Sequence, residues 1–137
     1  TLEHLLNVYP FPDNLTIIEL SGKQIKDLIE YSLTLPYGIG QISGLEIQYN
    51  INKPDMQRLS SIKINGKNII DTNKYTVSTS GYLAKGGDGY TIFTEGKLIN
   101  EEQSFPDALY RGFKAMEEIK LPSIGRQINL SADLSVN

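Results

Sequence analysis

Leu15-Thr16-Ile17-Ile18-Glu19-Leu20-Ser21-Gly22-Lys23-Gln24-Ile25-Lys26-Asp27-Leu28-Ile29-Glu30 changes its hydrophobic period in the middle. Leu15 to Leu20 is a short run rich in β-branched residues, which predicts a strand. Ser21 and Gln24 then form an S-x-x-Q capping box, and Ile25, Leu28, Ile29 and Leu33 recur at helical spacing. The strand therefore runs straight into a capped amphipathic helix, which Pro36, Gly38 and Gly40 bring to an end.

The same reading extends in both directions. Leu2 to Val8 predicts a short helix entering Tyr9-Pro10-Phe11-Pro12, where two prolines prevent regular structure. Leu45, Ile47 and Tyr49 alternate with polar residues, the period of a half-buried strand. Ile62 and Ile64 approach Asn65-Gly66, a hairpin signal, with Ile69 and Ile70 on the return. Tyr75 to Thr79 is a further strand leading into the glycine-rich segment Ser80 to Tyr90. Phe105, Leu109, Phe113 and Met116 mark a second amphipathic helix, with Pro106 in its first turn and Leu121-Pro122 as its stop. Ile128 to Leu130 is a last short strand. Helices and strands intermix without βαβ alternation, so the expected class is α+β with a mixed β-sheet and two main amphipathic helices.

The 137 residues fit one domain, which can bury roughly two thirds of the surface its unfolded chain exposes. No apolar run reaches the ~18 residues of a membrane span. A net charge of −3 disfavours nucleic-acid polymers, whose binding requires a cationic surface, but leaves room for a small nucleotide. There is no cysteine, and His4 is the only histidine, expected to be structural. One histidine cannot assemble a zinc or two-metal centre. No signal peptide is visible, and Thr1 begins in mid-pattern, as expected of a fragment of a larger protein.

Two segments carry possible chemistry. Gly81-Tyr82-Leu83-Ala84-Lys85-Gly86-Gly87-Asp88-Gly89-Tyr90 is not a P-loop, because Gly87 follows Gly86 where that motif needs lysine. It reads either as a plain turn between strands, or as a close backbone approach to a ligand, with Asp88 accepting from neighbouring hydroxyls and Tyr82 offering a flat ring. Phe11, between its prolines, reads either as a hydrophobic plug under a loop or as a stiffly held stacking platform. Gly38-Ile39-Gly40-Gln41-Ile42-Ser43-Gly44 has the wrong glycine spacing for a dinucleotide fingerprint.

Four blocks, in order, resemble the C-terminal domain of the 5′-nucleotidase and UDP-sugar hydrolase family. They are Tyr9-Pro10-Phe11 through Asn14-Leu15, Glu19-Leu20-Ser21-Gly22 with its helix to Glu30, Gln41-Ile42-Ser43-Gly44-Leu45, and Tyr75-Thr76-Val77 through Tyr90. The resemblance spans about residues 5–95, and it implies that the whole chain, 1–137, is a substrate-binding domain. It further implies that Phe11 and Tyr82 sandwich a nucleobase across an open cleft, and that Asp88 accepts hydrogen bonds from the ribose. Asp13 falls where the family places a residue that can touch the base, and Gly44 is counted with the substrate-binding group. Two departures stand out: Tyr at 82 where the family more often has Phe, and Pro12-Asp13 in place of Gly-Asn or Gly-Gly.

The resemblance also implies what lies elsewhere. Two divalent metal ions, the His–Asp pair near the phosphate and an Asn-Gly-Gly-x-Arg-type phosphate-binding segment would belong to an N-terminal metallophosphoesterase domain. No catalytic residue or metal ligand is expected in this chain. The expected parent hydrolyses nucleoside monophosphates and is periplasmic, secreted or at the cell surface. The alternatives are a 2′,3′-cyclic-nucleotide phosphodiesterase, a UDP-sugar hydrolase or a non-catalytic surface-binding module.

Overall fold

A computed structural model describes residues 2–132, apart from 103, 117, 119 and 121–123. The elements, in chain order, begin with α1 (Leu2–Val8), β1 (Leu15–Ser21), α2 (Gly22–Thr34), β2 (Glu46–Tyr49), β3 (Leu59–Ile64) and β4 (Lys67–Asn68). They continue with β5 (Lys74–Ser80), the single helical turn α3 (Gly81–Ala84), β6 (Lys97–Glu102), α4 (Phe105–Lys114) and β7 (Gln127–Asn129). The architecture is α+β, as the sequence predicts, with its strands in two sheets. Among the described residues no helix is long and apolar enough to cross a membrane.

The chain divides into two compact units. The first comprises Thr1–Leu20 and Tyr75–Leu121 and is built on the sheet order β5-β1-β6. The two faces of the central strand β1 differ: Thr16, Ile18 and Leu20 are buried while the intervening residues are only half-buried. Tyr90 and Phe93 complete this core, their ring centroids 6.1 Å apart. Gly96 passes so close that a Cβ there would lie 2.3 Å from a methyl of Ile18. The edge strand β6 pairs antiparallel with β1, with a bulge where Ile17 faces Asn100 and Ile18 faces Leu98. Helices α1 and α4 pack together in this unit.

The second unit comprises Ser21–Lys74 and Pro122–Asn137, with the sheet order β4-β3-β2-β7. Its core is Ile25, Ile29, Leu33, Ile47, Ile62 and Ile69. The predicted capping box is present: Ser21 N–H donates to Gln24 Oε1 at 2.8 Å, and Gln24 N–H donates to Ser21 Oγ at 3.2 Å. Asn65 and Gly66 turn the β3–β4 hairpin with φ of 51° and 74°, the two positive angles a tight two-residue turn requires. Strand β2 pairs antiparallel with β3 and parallel with β7, which makes this sheet mixed.

One buried charge organises the second unit. Glu30 is only 9% exposed, and its two oxygens accept the N–H groups of Arg58 and Leu59 at 3.0 and 2.9 Å. The Arg58 guanidinium in turn donates to the Leu33 carbonyl near the end of α2. The helix and the start of β3 are thus joined by charge-assisted bonds to backbone.

Several boundaries differ from the sequence reading. Helix α4 ends at Lys114, leaving Met116 beyond it and exposed. Leu121 and Pro122, the expected stop, lie outside the described residues. Leu130 belongs to the 3-10 turn that follows β7. Strand β6 has no counterpart in the expectation. Its residues Lys97-Leu98-Ile99-Asn100-Glu101-Glu102 lack period-2 alternation, because all but the last are exposed at a sheet edge.

Candidate functional site

Four of the five expected site residues, Phe11, Asp13, Tyr82 and Asp88, lie in the first unit. Phe11 is 63% exposed and Tyr82 55% exposed, so neither ring is part of the core. The plug reading of Phe11 therefore fails. Its ring is braced edge-on by Tyr9, centroids 5.5 Å apart, and Tyr9 packs at 4.9 Å against Phe105 at the start of α4.

Asp13 ties the Pro-Phe-Pro loop to α3. Its Oδ1 accepts the N–H of Asn14 at 2.8 Å and the N–H of Tyr82 at 3.1 Å, while its Oδ2 accepts from the Tyr9 hydroxyl at 3.2 Å. The Asp13 carbonyl also accepts the N–H of Phe105 at 2.8 Å. Burial first, then the neighbouring Asp13 carboxylate, raises the Tyr9 phenol above its ordinary value, so Tyr9 stays protonated and donating at neutral pH. The family resemblance puts Asp13 where a residue can touch the base; in this structure its carboxylate accepts backbone N–H groups from the two segments that carry the rings.

Gly81 makes that connection possible. A Cβ at this position would stand 2.9 Å from Asp13 Oδ1 and 3.2 Å from the Asn14 Cβ, and its N–H donates to the Asn14 carbonyl at 2.8 Å. Ser80 caps the turn by accepting the Leu83 N–H. The sequence shows Gly81 only as the first glycine of its motif; Tyr9 is legible only as an aromatic near Phe11.

After α3 the chain reverses through Gly86, Asp88 and Gly89, with φ of 87°, 51° and 81°. Asp88 is thus a non-glycine residue in the left-handed region, where aspartate and asparagine are the tolerated side chains. Tyr82 reaches it twice over: its hydroxyl donates to Asp88 Oδ1 at 2.9 Å and accepts the Asp88 N–H at 3.2 Å. The tyrosine that departs from the usual phenylalanine has its polar partner here. Gly87 lets the Tyr82 ring lie against the backbone, since a Cβ would come 2.5 Å from the ring carbon Cε1. Buried Tyr90 and Phe93 anchor the far end of the loop.

Gly44 belongs to the second unit, before β2, with φ of 80°. That backbone conformation by itself calls for glycine. His4 stands exposed on α1. Among the described residues no group of three or more His, Asp or Glu side chains is arranged to hold a metal ion.

A family model described as 5′-nucleotidase, C-terminal domain matches residues 1–95, which include all five candidate residues. The chain belongs to this family.

Trifunctional nucleotide phosphoesterase protein YfkN of Bacillus subtilis (strain 168) is 36% identical to this C-terminal domain over 104 residues, covering 69% of this chain and 7% of that protein. An apyrase of Tabanus yao is 30% identical over 112 residues, covering 71% of this chain and 20% of the relative. The crystal structure of a 5′-nucleotidase precursor from Thermus thermophilus superposes with a TM-score of 0.82 at 21% identity, over 95% of this chain and 28% of that one. The last likeness is one of fold. The chain spans about a quarter or less of the length of the curated relatives it matches.

Proposed function

We propose that this chain is the nucleoside-recognition domain of a larger nucleotidase. Phe11 and Tyr82 stack on the two faces of the base, and Asp88 accepts hydrogen bonds from the ribose hydroxyls. The observation that supports this best is the pair of exposed rings fastened to one carboxylate, Asp13, one through its neighbouring loop and the other through its own N–H. Exposed aromatics held by hydrogen-bonded backbone lose little freedom on stacking, which is what a base platform needs. Asp13 then works as a positioning residue for the rings.

In the parent protein the nucleotide whose nucleoside half is held here presents its phosphate to a two-metal centre in an N-terminal metallophosphoesterase domain, outside this chain. Likeness to the family supports a parent that works in the periplasm, at the cell surface or outside the cell. A parent acting on more than one kind of nucleotide phosphoester is the second reading, favoured by the trifunctional nucleotide phosphoesterase among the relatives.

Titrating adenosine into this chain by NMR is expected to shift the amides of Phe11, Asp13 and Asn14 together with those of residues 82–89. Base stacking contributes about 1–3 kcal/mol per base, so Phe11→Ala should weaken adenosine roughly 5- to 100-fold without a loss of melting temperature. Shifts confined elsewhere, or a Phe11→Ala variant that binds as well as the wild type, would remove the platform. The isolated chain is also expected to release no phosphate from AMP with added Mn²⁺ or Zn²⁺. Phosphate release above a metal-free control would overturn the assignment of hydrolysis to another domain.

A further inference from the structure

The Tyr82 hydroxyl spends both its hydrogen-bonding capacities on one residue: it donates to the Asp88 carboxylate and accepts from the Asp88 N–H. Such a two-point contact fixes the carboxylate relative to its own backbone. The ring that carries the hydroxyl is located independently, by the Tyr82 N–H on Asp13 and by the bare Cα of Gly87 beneath it. Removing the hydroxyl therefore takes away these two contacts to Asp88 while leaving the stacking face where it was.

We propose that Tyr82 is a specificity-determining residue through this hydroxyl, holding Asp88 in the orientation that accepts the ribose hydroxyls. The inference rests on the nucleoside reading above and adds a residue to it: the position at which this chain departs from the family's usual phenylalanine sets how well ribose is told from deoxyribose. An acceptor already oriented loses less side-chain freedom when the ligand arrives, and one such rotamer is worth a few-fold in affinity.

The test compares adenosine with 2′-deoxyadenosine on the wild-type chain, Tyr82→Phe, Asp88→Asn and the double variant, by NMR titration. Tyr82→Phe is expected to weaken adenosine by about three- to tenfold and 2′-deoxyadenosine by less than about twofold, so that the preference for ribose narrows. In the Asp88→Asn background the same change should have a smaller effect, because the group it orients is no longer a carboxylate. Wild-type binding of adenosine with an unchanged or widened preference in Tyr82→Phe would overturn this inference and leave the nucleoside site standing. So would tighter adenosine binding by that variant, which would make the hydroxyl a competitor for Asp88. No binding of either nucleoside by the wild type would overturn the site reading and this inference with it.

Discussion

Replacing Asp88 by asparagine should weaken adenosine binding roughly 10- to 100-fold, the range that corresponds to one lost charge-assisted hydrogen bond. The substitution is a fair probe because of the backbone at this position. Asp88 has φ of 51°, and asparagine tolerates the left-handed region as well as aspartate does. The turn through Gly86 and Gly89 should therefore survive, and with it the melting temperature. Asparagine still offers one acceptor oxygen, but its amide cannot receive two neighbouring hydroxyls as a carboxylate does. 2′-Deoxyadenosine, with one hydroxyl fewer, should lose less. A variant that melts earlier yet keeps the wild-type preference for adenosine would show Asp88 to be a turn residue and nothing more.

Glu30→Ala should cost the second unit about 2–4 kcal/mol, because two backbone N–H groups lose charged acceptors in a place water reaches poorly. For a chain of this size that is a fall in melting temperature on the order of 10 °C. Glu30→Gln retains one acceptor oxygen and should fall between the wild type and alanine. Amide hydrogen exchange gives the local readout, with Arg58 and Leu59 losing protection first. Unchanged melting of Glu30→Ala would mean that the Arg58 guanidinium on the Leu33 carbonyl is enough to hold β3 to α2.

Elements with a strong local signal are legible in the sequence. The Ser21–Gln24 capping box, the Asn65-Gly66 turn and the alternation around Ile47 each depend on neighbours in sequence, and each forms as read. The paired sheets were not legible, because nothing near Gln127 in sequence announces that it will lie beside Ile47. Strand β6 is illegible for a different reason: a charged edge strand resembles a loop in composition.

The site divides in the same way. Phe11, Tyr82 and Asp88 stand out through residue type and the glycines around them. Their supports do not. That Asp13 would collect a tyrosine hydroxyl and two amides, or that Gly81 and Gly87 serve close packing, depends on segments about seventy residues apart, or on a ring folding back across five residues.

The parallel pairing of β2 with β7 has a bearing on how this protein is made. Strand β2 at Glu46–Tyr49 receives its second neighbour from Gln127–Asn129, eighty residues later in the chain. The Ile47 N–H donates to the Arg126 carbonyl, Arg126 reaches the Ile42 carbonyl, and the Gln127 side chain reaches Gly40. During synthesis the hairpin partner β3 emerges soon after β2, but the other edge of β2 stays open until residue 129 has left the ribosome. Pairings of such long sequence separation form slowly, and an open strand edge in the meantime is available to other chains. A recombinant fragment cut at residue 95, where the family match stops, would keep that edge open permanently.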